Sequence, residues 1–292
     1  MHGQTLQIVV PTAKCVNHCP FCVVGNGRNS IADWESTSRN EGTSYIRRMA
    51  YAKEYGCDTM VLTANGEPLQ NIKFLLRLAG YHDLLGVAGF HKIEIQTTGS
   101  LLFSNRGVLK ALKALGVSTV SLSVCDPWSD VVNDKIIGRP ERVPTPLLDI
   151  CDLIKKWGFI LRLSYNMIQL DNFSLHQYSD FLGYLSRAAS LGADQITFKR
   201  LHALDYDCPQ REWVLKNGVT EKQWRNLLDD IKHRCSPLEE EMNGNMRYSI
   251  NGISVLAIGD CMSPRDDSYR YLIIREDGRL YSRWEDKGSL IF

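Results

Sequence analysis

Three cysteines crowd into eight residues, Cys15-Val16-Asn17-His18-Cys19-Pro20-Phe21-Cys22, directly after a β-rich run at 6–10. Three thiolates on one loop can converge on a single metal centre, and Fe–S clusters take cysteine thiolates as ligands, normally four. With three nearby thiolates and no obvious fourth, one iron is left open for a cofactor or substrate to coordinate. Two other readings fit the same residues. A structural zinc site needs a fourth ligand, which His18 can supply, although zinc sites usually draw paired ligands from two separated segments. Three unpaired core cysteines are the other reading, since free cysteine is commonly buried. The tight spacing favours iron–sulfur.

Around this loop the chain has 292 residues and nine cysteines, an odd number whose crowding suits metal ligation in a reducing compartment better than disulfides. Thirty-four basic residues against thirty-three acidic ones give a formal charge of +1. That balance offers no bulk electrostatic case for a nucleic acid or a membrane surface as partner. The first residues lack a basic leader followed by an apolar run, and no stretch approaches the roughly 20 apolar residues that span a bilayer. A cytoplasmic protein is expected.

The elements that must position the loop follow from periodicity. Short β-rich runs at 6–10, 59–63, 92–97, 119–124, 160–165 and 195–198 alternate with helical patterns at 43–55, 72–85, 105–115, 146–157 and 175–191. Gly56, Gly116, Gly158 and Gly192 stand where four of these helices should stop. Six such units predict an α/β fold, a partial (β/α)6 barrel. After Arg200 the pattern changes to a loop-rich stretch, a polar helix near 220–234, and two β-like runs at 270–275 and 279–284. Glu276-Asp277-Gly278 joins them as a hairpin turn. The expected organisation is a cofactor-binding barrel over 1–205 and a small α+β appendage over 206–292 that covers its mouth. There is no internal repeat.

Strand faces carry a second signal. Along 160–167, Leu161, Leu163 and Tyr165 alternate with Arg162, Ser164 and Asn166, and alternation likewise groups Glu94, Gln96 and Thr98, and Ser121, Ser123 and Cys125. A parallel sheet covered by helices should be apolar on both faces, so polar rows on three interior strands imply a ligand-holding interior.

These features resemble the radical S-adenosylmethionine (SAM) superfamily, whose signature is a Cys-x3-Cys-x-aromatic-Cys loop after the first barrel strand. Cys15, Cys19, Phe21 and Cys22 match it, and the resemblance covers about residues 5–200. It implies that the three cysteines hold a [4Fe–4S] cluster, that SAM chelates the open iron, and that Phe21 lies beside the adenine. A second match is Asn65-Gly66-Glu67-Pro68 after the second strand, where the family usually carries Gly-Gly-Glu-Pro and where backbone carbonyls and the Glu accept hydrogen bonds from the SAM ammonium. Asn65 departs from that pattern. Thr97-Thr98-Gly99, Ser121-Leu122-Ser123 and the segment from Asn133 to Arg139 resemble the molybdenum-cofactor cyclases and their peptide-modifying relatives, with Ser164 and Asn172 aligning with fifth-strand asparagines. By that likeness Thr98, Ser123 and Ser164, with Asn166 on the same face, become candidates for SAM contacts.

Those relatives often hold auxiliary clusters in a C-terminal extension. Here Tyr281-Ser282-Arg283 follows the Asp277-Gly278 turn where a cysteine would be expected, and Cys208, Cys235 and Cys261 are widely spaced, so packed thiols are expected, with an auxiliary cluster held by these three as the alternative. Cys57, Cys125 and Cys151 are expected away from the loop. The activity implied is reductive cleavage of SAM to a 5′-deoxyadenosyl radical that takes a hydrogen atom from a small metabolite, nucleotide, sugar or peptide. Electrons would come from a donor such as flavodoxin or ferredoxin. The competing reading is a zinc-bearing binding module without catalysis.

Overall fold

The computed structural model describes residues 5–12, 14–24, 41–103, 105–139, 146–169, 180–240, 245–259, 271–284 and 287–292. Asn172, Cys261 and the start of the helix expected from 175 lie outside the described residues. Two compact units emerge, one of 1–15, 27–120 and 264–292, the other of 16–26 and 121–263.

In the first unit β1 (Thr5–Val10), β2 (Thr59–Ala64) and β3 (Lys92–Thr97) run parallel, registered from Thr5↔Thr59 to Val10↔Ala64 and from Thr59↔Lys92 to Leu62↔Ile95. Parallel neighbours need crossover connections, which helices α1 (Glu41–Glu54) and α2 (Ile72–Asp83) supply. Asn71 does two jobs at the start of α2. Its Oδ1 accepts from Phe74 N at 3.0 Å as a cap, and its Nδ2 donates to Pro11 O at 2.7 Å, fixing the chain as it leaves β1. Helix α3 (Arg106–Ala114) begins at an Asn105 cap and gives way to Gly116 at φ 78°. All four glycines expected to stop helices have positive φ.

The hairpin is where the first unit departs from expectation. Strand β10 (Tyr271–Ile274), paired antiparallel with β11 (Leu280–Tyr281), lies parallel to β1 from Thr5↔Tyr271 to Ile8↔Ile274. It extends the main sheet. Burial explains the position: Leu272, Ile273 and Ile274 are wholly buried, and Ile273 packs with Val9 and Tyr281 under Tyr271 and Trp284. A free-standing hairpin would leave that apolar face in water.

The second unit contains the end of β4 (Thr119–Val124), then α4 (Asp130–Ile137), α5 (Leu147–Lys156), β5 (Ile160–Met167), α6 (Phe181–Ser190), β6 (Gln195–Arg200), α7 (Pro209–Asn217), α8 (Glu221–Arg234), β7 (Ser236–Glu240), β8 (Met246–Ile250) and β9 (Ile253–Ile258). β5, β6 and β9 are parallel, and β9, β8 and β7 form an antiparallel meander. The sequence reading contains no strands at 236–258. Yet Asn251 (φ 51°) and Gly252 (φ 80°) make the two-residue turn between β8 and β9, the strongest short hairpin signal a sequence offers. Helix α4 was equally legible, with Ser129 accepting from Val132 N at its start and left-handed Gly138 at its end. Among the described residues no helix is long and apolar enough to cross a membrane.

Candidate functional site

Because β10, β1, β2 and β3 are parallel, their carboxyl ends share one edge of the first unit, the edge where open α/β sheets hold ligands. Four segments reach that edge: Thr12 and Lys14 after β1, Asn65-Gly66-Glu67 after β2, Thr97-Thr98 at the end of β3, and Glu276 after β10. The Glu67 carboxylate is 2% exposed and accepts four hydrogen bonds. Oε1 takes Thr97 Oγ1 at 2.5 Å and Leu69 N at 3.3 Å; Oε2 takes Thr98 Oγ1 at 2.9 Å and Thr98 N at 3.0 Å. Burial holds its pKa above the usual carboxylate range, and these four donors oppose that rise without cancelling it. Glu67 thus fastens the turn after β2 to the end of β3. Gln70, which completes the capping box with Glu67, also donates to Lys14 O at 3.1 Å, one residue before Cys15. Gln96 donates to Glu94 at 3.3 Å, as expected of neighbours on one strand face.

Asn65 turns to the hairpin, its Nδ2 donating to Glu276 Oε2 at 2.7 Å. Glu276 is 6% exposed, and its Oε1 has no partner among the described residues. Burial pushes the Glu276 pKa up to about 7, with the Asn65 bond lowering it and Asp277 raising it. The buried Thr12 Oγ1 also lacks a partner among the described residues. In the sequence Glu276 is legible only as part of the turn Glu276-Asp277-Gly278. The signal available was Asn65 itself, a polar side chain at a position where the resembled motif has none.

In the second unit the cysteine loop is docked on the carboxyl end of α4. His18 N donates to Ile137 O and Gly138 O, both at 3.1 Å, Cys19 Sγ donates to Ile137 O at 3.3 Å, and Cys22 N closes back on Cys19 O at 3.1 Å. The last carbonyls of a helix have no partner within it, so the loop satisfies them. Gly138 permits the approach: it sits at φ 65°, and a Cβ there would lie 2.8 Å from His18 O and 2.9 Å from His18 C. On the other side, Gln210 of α7 donates to Phe21 O at 3.0 Å and to His202 O at 2.9 Å while accepting from Leu204 N. The Phe21 ring rests 5.7 Å from that of Trp213, inclined 44°. Neither support was visible in the sequence, because the stretch after Arg200 read as loop.

Of the remaining candidates, Ser123 is half-buried on β4, and Ser164 is 1% exposed with no partner for its Oγ among the described residues. Asn166 Nδ2 lies 3.8 Å from Cys125 Sγ. The polar row of β5 continues onto β6, with Arg162, Ser164 and Asn166 registered on Gln195, Thr197 and Lys199. Cys125, expected away from the loop, instead feels it: burial first and then Cys19 raise its pKa. Its position after β4 brings it to the loop that α4 carries.

Cys15, Cys19 and Cys22 are half-buried and outside any disulfide, a donor set suited to an iron–sulfur cluster. In the first unit the buried oxygens of Thr12 and Glu276 suit a polar ligand at the carboxyl edge of the sheet. No three His, Cys, Asp or Glu side chains gather among the described residues as a single ion requires, so the zinc reading finds no support. Cys208 is half-buried, and Cys235 is a buried thiol whose pKa burial raises.

Residues 9–185, more than half the chain, match the model of the Radical SAM superfamily. No curated protein matches the chain in sequence. Among solved structures, native anSMEcpe with bound AdoMet is similar at TM-score 0.64 and 14% identity, over 99% of this chain and 77% of that one. Streptococcus suis SuiB is similar at TM-score 0.59 and 14% identity, over 96% of this chain and 60% of its own. Coproporphyrinogen III oxidase (HemN) from Escherichia coli, a radical SAM enzyme, is similar at TM-score 0.51 and 15% identity, over 88% of this chain and 64% of its own. The chain thus spans about three fifths of the length of SuiB and of HemN. These likenesses show the fold, an α/β fold with a parallel sheet as in radical SAM enzymes.

Proposed function

Because this chain belongs to the radical SAM superfamily, we propose that Cys15, Cys19 and Cys22 hold a [4Fe–4S] cluster and that the protein binds SAM and cleaves it reductively. One observation carries the reading: the matched segment contains all three cysteines, outside any disulfide, on a loop whose backbone is bound to the end of α4. Held by Cys15, Cys19 and Cys22, such a cluster would supply the one-electron reducing chemistry for cleavage of SAM and, through it, for hydrogen-atom abstraction from substrate.

The chain's residues do the holding and the excluding. Gly66 presents backbone carbonyl to the SAM ammonium, and Glu67 contributes by fixing that turn against Thr98. Phe21, backed by Trp213, would be the residue that meets the adenine. Thr98, Ser123, Ser164 and Asn166 offer hydroxyl and amide groups to the carboxylate and ribose. Residues 1–205 supply these contacts, while 206–292 support the loop through Gln210 and Trp213 and take part in holding substrate. The substrate is a small metabolite, nucleotide, sugar or peptide, and a flavodoxin or ferredoxin supplies the electron in the cytoplasm.

The test uses the full chain, reconstituted with iron and sulfide without oxygen, reduced by dithionite and given SAM. 5′-Deoxyadenosine and methionine should appear in equal amounts. A colourless protein holding one tightly bound zinc and forming neither product would overturn the reading in favour of the binding module.

A further inference from the structure

We propose that Asn65 and Glu276 together form a receptor for the ammonium group of SAM, with the unpartnered oxygen of Glu276 as its acceptor. The inference rests on the SAM-binding reading above and adds to it a residue from the C-terminal hairpin, 211 positions beyond Asn65.

Three observations carry it. The first is the departure at Asn65, which puts a side chain where the resembled motif has none. That side chain is committed: its amide donates to Glu276 Oε2 at 2.7 Å. The second is the way Glu276 reaches the site. β10 is parallel to β1, so the residue that leaves its carboxyl end arrives at the same sheet edge as the loop leading to Cys15 and the turn after β2. The hairpin is held there by Gly278 N donating to Arg275 O at 2.8 Å, Arg275 N to Arg279 O at 3.0 Å, and Tyr281 OH to Asp277 Oδ2 at 2.7 Å. The third is the imbalance left on Glu276. One carboxylate oxygen is bonded, whereas the other is buried with no partner among the described residues. A buried carboxylate held through only one oxygen is costly, and a ligand that brings N–H donors and positive charge removes the cost.

Glu67 cannot take that role, since each of its oxygens already accepts two bonds from within the unit. Glu276 is the carboxylate at this edge with an oxygen to spare. An ammonium presents three donors and a full positive charge, which matches an acceptor-only group.

The test is isothermal titration of the anaerobically reconstituted chain with SAM and, separately, with methylthioadenosine, which lacks the ammonium. Glu276→Gln should weaken SAM binding about tenfold to a hundredfold, as loss of a charge-assisted bond does, and leave methylthioadenosine binding unchanged. Iron content and circular dichroism equal to the wild type would confirm that the variant is folded and loaded. Should Glu276→Gln fail to fold, Glu276→Asp, shorter by one methylene and still charged, should show the same selective loss at smaller amplitude. Unchanged SAM affinity in the variant, or equal losses for both ligands, overturns the receptor while leaving SAM binding in place. A wild-type chain that binds no SAM overturns the underlying reading and this proposal with it.

Discussion

Replacing Gly138 with alanine is expected to strip the protein of most of its cluster while leaving a folded chain. Gly138 is left-handed at φ 65° and ψ 43°, a conformation that costs other residues about 1–2 kcal/mol. The larger effect is steric. The new Cβ would lie 2.8 Å from His18 O, 2.9 Å from His18 C and 3.0 Å from His18 Cβ, and two of these atoms are backbone, so the loop must move away from α4. It would then lose the His18 bonds to Ile137 and Gly138 and the neighbouring bond from Cys19 Sγ to Ile137 O, which together dock this part of the loop on α4. Gly116→Ala is the control. Gly116 is also left-handed, at φ 78°, but its added Cβ would meet only Ile93 Cδ1 at 3.8 Å, with no backbone atom within 4 Å. The control should lose comparable stability and keep its iron. Equal iron content in the two variants would show that the contact with His18 does not shape the ligand loop.

Glu67→Ala should be the most destabilising single change at the ligand edge. It strands donors of Thr97, Thr98 and Leu69 at a site that is 2% exposed. Each buried group left without a partner costs about 1–3 kcal/mol, so a loss of at least about 3 kcal/mol is expected, or a fall in Tm of roughly 6 °C or more. Glu67→Gln separates two roles. If the carboxylate serves to fasten the turn, the amide sets N–H donors against the donors of Thr98, and stability falls markedly. If it served instead to meet the SAM ammonium, stability would hold and only SAM affinity would drop. Differential scanning calorimetry with SAM titration decides between them, and an unshifted Tm in Glu67→Gln would refute the fastening role.

Much of this was legible in the sequence, and the reasons are physical. The six strands before residue 201 appear within a few residues of the expected positions, because short β-rich runs alternate with helical patterns and glycine stops end four of those helices. The cysteine loop and the turn after β2 were legible because close spacing carries their chemistry. What failed to show was long-range. Glu276 and Asn65 are 211 residues apart, and only the pairing of β10 with β1 joins them. The hairpin's own pattern fixed its turn but could not say which sheet edge would bury Leu272, Ile273 and Ile274. Gln210 stayed hidden for a similar reason, since its value lies in bridging the carbonyls of Phe21 and His202. Glu67 shows a further limit: its motif marked the residue, and only the geometry revealed that its carboxylate is spent on Thr97, Thr98 and Leu69.

The central claim is that Cys15, Cys19 and Cys22 hold the cluster, and iron and sulfide analysis of their triple alanine variant tests it most directly. After anaerobic reconstitution the wild-type chain should carry about four irons and four sulfides, one [4Fe–4S] cluster, and the triple variant almost none. A triple variant that keeps a full iron complement would contradict the account and place the metal with other cysteines.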